Sequence, residues 1–150
     1  MKKLKLFTLA IIAILVITGC GSEKKLTCTN NKDSNGLKMD QEIVMKFKDK
    51  KVNYIQMTID AKATNDTIKN NWDMFATQLE SQYKETKEDG INLTVKNDKK
   101  NYSYKISLEV DLTKASEASL KKHSLDNIAN KNSSIEDVKK EAEKSGFTCK

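Results

Sequence analysis

Three cysteines and one histidine carry the only thiol and imidazole chemistry in the chain. Cys28 and Cys149 stand near opposite ends of the segment that follows the apolar N-terminus. A metal site would need more ligands than the two thiols, and the sequence holds one histidine. In an oxidising compartment the two thiols are expected to pair as a disulfide, with free thiols as the alternative. Closing a loop of this length is worth up to ~5 kcal/mol on the chain-entropy account. His123 lies in Lys121-Lys122-His123-Ser124. A catalytic histidine needs a Ser or Cys nucleophile and an orienting carboxylate. Serines are available, but the chain has no Gly-x-Ser-x-Gly elbow, so a surface histidine is expected. Asp40 with Glu42, and Glu109 with Asp111, are carboxylates two residues apart. On a strand that spacing puts both on one face. These faces are interleaved with lysine, which points to solvated strand surfaces rather than acid–base pairs. Asp60 to Asp66 lacks the spacing of a calcium loop. Asn65, Asn92 and Asn101 head Asn-x-Ser/Thr triplets that carry little meaning in a bacterial chain. No catalytic residue, metal or cofactor is assigned.

Cys20 differs from the other two by its surroundings. Met1 to Lys5 is basic, Leu6 to Ile17 is apolar apart from one Thr, and Ile17-Thr18-Gly19-Cys20 follows. A charged start, a short apolar core and small residues at the end make a secretory signal peptide. The apolar run falls short of the ~20 residues that span a bilayer. Ile17, Thr18, Gly19 and Cys20 resemble the lipobox of bacterial lipoproteins. That resemblance implies cleavage after Gly19 by the lipoprotein signal peptidase and acyl chains such as palmitate on Cys20. Residues 1–19 are then a removed signal, 20–25 a lipidated tether and 26–150 one domain on the extracytoplasmic face of the cell membrane. Six extended residues reach ~20 Å, so the domain rides close to the bilayer, with Lys24 and Lys25 near the headgroups or simply solvated.

The full chain is formally +6. Loss of Lys2, Lys3 and Lys5 leaves 24 Lys against 21 Asp and Glu, a net +3. Every cationic side chain is Lys, with no Arg and no Pro. Nucleic-acid sites lean on the planar, bidentate guanidinium, so its absence, together with export, argues against that class of partner. Abundant Lys, Asn and Ile without Arg fits an AT-rich genome and, by composition alone, a Gram-positive source.

The elements that would position these residues follow from periodicity. Leu26 to Thr29 predicts a short strand, with Asn30 to Gly36 a polar loop. Leu37, Met39, Ile43, Met45 and Phe47 alternate with polar residues, the period of a half-buried strand. Val44 and Gln41 break the pattern. Lys48 to Lys51 predicts a hairpin turn. Val52 to Ala61 resumes the strand, with a bulge near Tyr54. Ile68, Trp72, Phe75, Leu79 and Tyr83 mark one helical face, capped by Asp66 and running down to Gly90. Trp72 is expected in the core. Ile91 to Lys96 and Tyr102 to Leu112 alternate as a second hairpin. Ser116 to Ile128 predicts a weaker helix, and Asn130 to Ser133 a loop. Ser134 and Asp137 form a variant capping box for a last helix, with Ile135, Val138 and Ala142 on its inner face. Phe147-Thr148-Cys149 closes the chain as a short strand. The expected fold is α+β: a mostly antiparallel sheet with helices on one face, in the order β-β-β-α-β-β-α-α-(β).

The layout resembles the YehR-like family of small bacterial lipoproteins. The likeness rests on the stretch Glu42 to Val52, on Ile106 to Asp111, and on Ser134 to Lys140 continuing to Gly146-Phe147. It implies an α+β lipoprotein domain and assigns no activity or catalytic residue. The function expected is a non-catalytic binding domain of the cell envelope. Its partners would be the bilayer, through the Cys20 lipid, and another envelope protein or the wall polymer. One alternative is a small-ligand carrier with a pocket between the sheet and the Trp72 helix, lined by Trp72, Tyr102 or Tyr104. A hydrolase using His123 is the other.

Overall fold

A computed structural model describes residues 23–123, 125 and 134–150. The expected signal segment, the lipobox residues Ile17, Thr18, Gly19 and Cys20, and the loop 130–133 lie outside the described residues.

Two long hairpins build most of the sheet. β1 (Lys24–Ser34) and β2 (Leu37–Lys48) pair antiparallel, and β2 pairs in turn with β3 (Lys51–Ala63). The polar stretch expected as a loop after Thr29 is therefore strand as far as Ser34. Only Asn35 and Gly36 turn, with φ of 53° and 83°. Two consecutive positive φ values are what a tight two-residue hairpin demands, and Asn-Gly supplies them at low cost. Pairing with β2 outweighs the polar composition of Asn30 to Ser34. β1 also begins at Lys24, inside the expected tether. The turn at Lys48–Lys51 is present, with Asp49 and Lys50 at φ of 51° and 64°. The bulge expected near Tyr54 is present too. Lys46 pairs with Tyr54 and Phe47 with Val52, which leaves Asn53 as the extra residue.

The expected single helix is two. α1 (Asp66–Asn70) is capped by Asn65 rather than Asp66: the Asn65 Oδ1 accepts from the Ile68 N–H at 2.9 Å. A break at Asn71 separates it from α2 (Trp72–Gln82). The stretch expected as the decaying end of that helix holds a strand instead. β4 (Thr86–Glu88) turns back through Asp89-Gly90 to β5 (Ile91–Asp98). Helical periodicity ends at Tyr83, and the backbone of Thr86 to Glu88 finds its hydrogen bonds on β5. β6 (Ser103–Asp111) completes the second hairpin. α3 (Glu117–Lys122), capped by Ser116, is shorter than expected among the described residues. α4 (Ile135–Lys144) has the capping box, with Ser134 Oγ accepting from the Asp137 N–H at 3.2 Å and donating to the Asp137 carboxylate at 2.7 Å. β7 (Thr148–Cys149) is the closing strand.

The seven strands of the described residues form one sheet in the order β4-β5-β6-β3-β2-β1-β7, antiparallel throughout. Register carries one apolar row straight across it: Leu26, Met45, Ile55, Val110 and Ile91 are mutual partners and all buried. Each such side chain contributes roughly 1.5–3 kcal/mol by leaving water. Ile135, Val138 and Ala142 of α4 cover the half of this face around Leu26, Met45 and Phe47. α1 and α2 cover the other half, where Trp72 and Ala76 pack on Ala61, Ala63, Tyr104 and Ile106. Among the described residues the opposite face carries no helix.

Candidate functional site

The uncovered sheet face is a broad polar surface that the fold organises. β2, β3 and β6 send Asp40, Glu42, Gln56, Thr58, Asp60, Lys105, Ser107, Glu109 and Asp111 to it by alternation with the buried row. A shallow depression of about 440 Å³ lies among them, with Thr29, Gln56, Thr58 and Ser107 in its lining. Charged residues surround this uncharged patch. Lys38 pairs with Asp40 at 3.0 Å, and Lys105 reaches Asp60 at 3.3 Å. Such exposed pairs add little stability, but they fix where charge sits on the face. Asp111 accepts from the Thr113 hydroxyl and N–H and lies 3.3 Å from Lys114. The Thr113 hydroxyl is the main cause that holds the Asp111 carboxyl below its usual range. Both carboxylate pairs singled out in the sequence thus stand on this face, as expected.

At one end of the face, the Lys46 ammonium stands 5.4 Å from the centre of the Tyr54 ring. Burial, and then the charges of Glu109 and Asp111, raise the Tyr54 phenol above its usual pKa. Val44, out of phase in the sequence, points to this face and is nevertheless buried, between Thr27 and Gln56 in register.

A second cluster lies on the helical side and was not legible in the sequence. Glu88 of β4 accepts from Ser119 Oγ at 2.6 Å and from Lys122 Nζ at 2.5 Å. His123 Nε2 lies 3.3 Å from the same carboxylate but without hydrogen-bond geometry. The Lys122 hydrogen bond, then that of Ser119, then His123 pull the Glu88 pKa down to about 2. His123 is therefore not an isolated surface residue. Ser119, the described hydroxyl of this cluster, gives its proton to the carboxylate, so no serine–histidine hydrogen bond forms within it. The cluster borders a groove of about 640 Å³ between the end of α2 and α3, with Ile91, Leu93, Leu108 and Leu125 along its floor.

Trp72 is buried, as expected for a core residue, and its Nε1 donates to Asn97 Oδ1 at 3.1 Å. Its ring packs on Phe75 and, edge-on, on Tyr102. Tyr104 is buried and Tyr102 partly exposed. None of the three lines the groove. Cys28 and Cys149 are partners on β1 and β7 and form a disulfide. Both are buried, so the bond acts as a structural clasp beneath α4. Among the described residues no group of three or more His, Cys, Asp or Glu is placed to hold a metal ion. Among the same residues no helix is long and apolar enough to cross a membrane.

No protein-family model matches the chain. No curated protein matches it either. A solved structure does: the NMR structure of a protein from Streptococcus pneumoniae TIGR4 is similar over 100% of this chain and 98% of that one, with a TM-score of 0.54 and 14% identity. Likeness at that identity speaks for the fold alone.

Proposed function

We propose that the chain is a lipid-anchored, extracytoplasmic binding domain that works by contact through its uncovered sheet face. The observation that carries this reading is the asymmetry of the sheet. One face is packed under the described helices, while the other holds a patch of hydroxyl and amide groups framed by charged residues. Such a surface suits a polar partner, either another envelope protein or the wall polymer. The anchor rests on the lipobox resemblance at Ile17 to Cys20, and the likeness to YehR-like lipoproteins belongs to the same reading. No catalytic step is part of it, because catalysis needs a positioned acid, base or nucleophile in a concave, partly dry site. On the open face Asp40, Asp60 and Asp111 are lysine-paired, Glu42 is exposed and Glu109 half-buried on an open strand, and in the second cluster Ser119 and Lys122 give their hydrogen bonds to Glu88. Cys20→Ser should leave an uncleaved precursor that takes up no acyl label in cells. A Cys20→Ser protein that is still cleaved and still membrane-anchored would end the anchor reading.

One observation favours a second reading, a small-ligand carrier. The groove beside Glu88 has an apolar floor and a charged rim, the usual make-up of a ligand site. It lies toward the end of α2 near Tyr83 rather than beneath Trp72. Protein taken gently from membranes and weighed intact would carry a bound small molecule on this reading, and none on the first.

A further inference from the structure

We infer that the end of the sheet nearest the anchor is a basic docking surface for the anionic bilayer to which the chain is tethered. This inference rests on the anchor reading. Lys24 is four residues from Cys20, and four extended residues span at most ~14 Å. Whatever path the tether takes, the start of β1 stays within that distance of the lipid. Register then brings the β2–β3 hairpin to the same end, because Lys24 pairs with Phe47 and Lys25 with Lys46. Lys48, Lys50 and Lys51 of the turn thus stand beside Lys24 and Lys25, and all five are exposed. None of the five forms an ion pair with a described residue.

Counting Lys46 and Lys114 as well, seven lysines face five acidic groups at this end. Glu23 is engaged with Lys46 at 3.8 Å, and Asp49 sits among the turn lysines. Asp111 is matched by Lys114, while Glu136 and Asp137 belong to the first turn of α4, with Asp137 held by Ser134. The opposite end of the sheet is mixed: Asp66 is paired with Lys69, Asp73 with Lys99, and Asp98 is bound to Asn101. Lysines within a Debye length of an anionic leaflet are attracted to it, each by a modest amount that accumulates. Several lysines acting with one lipid would hold the domain upright, with the uncovered sheet face turned sideways along the membrane rather than pressed onto it.

The test uses residues 23–150, which contain every described strand and helix and the whole described core, and carry no acyl chain. At low salt this domain should sediment with vesicles of phosphatidylcholine containing phosphatidylglycerol, and not with phosphatidylcholine alone. Binding should vanish in 1 M salt, where the Debye length is ~3 Å. Reversing Lys48, Lys50 and Lys51 to Glu should cut the bound fraction at least ~10-fold. Lys24→Gln with Lys25→Gln, which leaves the turn untouched, should cut it several-fold. Lys99→Glu with Lys100→Glu at the far end should change it by less than ~2-fold. Equal binding to both vesicle types, no binding at low salt, or equal losses from the two ends would overturn the inference. Acyl labelling of Cys20 in cells separates the two ideas. Label without vesicle preference defeats this inference alone, and vesicle preference without label defeats the anchor alone.

Discussion

Glu88 gathers Ser119 and Lys122 from 31 and 34 residues along the chain. Its depressed pKa means that the folded state binds its proton less readily than the unfolded chain, whose Glu titrates near ~4.3. The stabilisation is therefore complete above that value and is lost as pH falls toward about 2. Glu88→Gln should lower the urea midpoint at pH 7, and the gap to the parent protein should close between pH 4.5 and pH 2. A gap that is independent of pH would show that the carboxylate charge is not what α3 uses. Nothing local in the sequence marks Glu88, since its partners are brought together only by the fold. The cysteines behave oppositely. Two thiols at the ends of a domain expected to be exported, with one histidine beside them as a further ligand, suffice to expect the bond that Cys28 and Cys149 form. Replacing either with Ser should destabilise the domain by up to ~5 kcal/mol, read in thermal melts with and without reductant. The circular dichroism of the sheet should persist, because the Leu26–Ile91 row does not depend on the clasp.

Strands with strict alternation were legible because one face is buried and the other is wet, which writes a period of two into β2, β3, β5 and β6. β4 was not, because Thr86-Lys87-Glu88 is short, polar and paired on one side only. The split at Asn71 was hidden as well: Ile68 and Trp72 keep helical spacing across it. Strand order could not be read either, since alternation says which side chains are buried but not that β3 lies beside β6. Gly90 is the residue on which the β4–β5 turn depends. Its φ is 77°, and a Cβ there would meet the Ala115 backbone N at 2.4 Å and the Asp111 carbonyl at 2.7 Å. Both are backbone atoms, and the Asp111 N–H donates to the Gly90 carbonyl at 2.7 Å. Gly90→Ala should therefore destabilise by more than ~1 kcal/mol and loosen α3, seen as faster amide exchange at Leu120. An unchanged melt would mean that this turn is softer than its contacts suggest.

The described molecule is a half-covered sheet, which the proposed lipid anchor would hold near a membrane by one end. On that proposal its distance from the bilayer would be set by the few residues between Cys20 and β1, so tether length is the variable that separates contact at the membrane from action elsewhere. A flexible Gly/Ser insert of about 20 residues after Ser22 adds a mean reach of ~25 Å. It should leave the melting temperature unchanged while weakening any function that depends on proximity; full function with the long tether would argue for a partner reached away from the membrane. The alternating face was legible in the sequence, but not the depression at Thr29, Gln56, Thr58 and Ser107, which exists only once β1, β2, β3 and β6 are in register. The most direct measurement is site-specific photo-crosslinking in intact cells from Thr58, in the open face, against Lys140 on the outer side of α4. The account predicts a discrete adduct from Thr58, with one envelope protein or with wall polymer, and none of comparable yield from Lys140. Equal adducts from both positions, or an adduct from Lys140 alone, would contradict it.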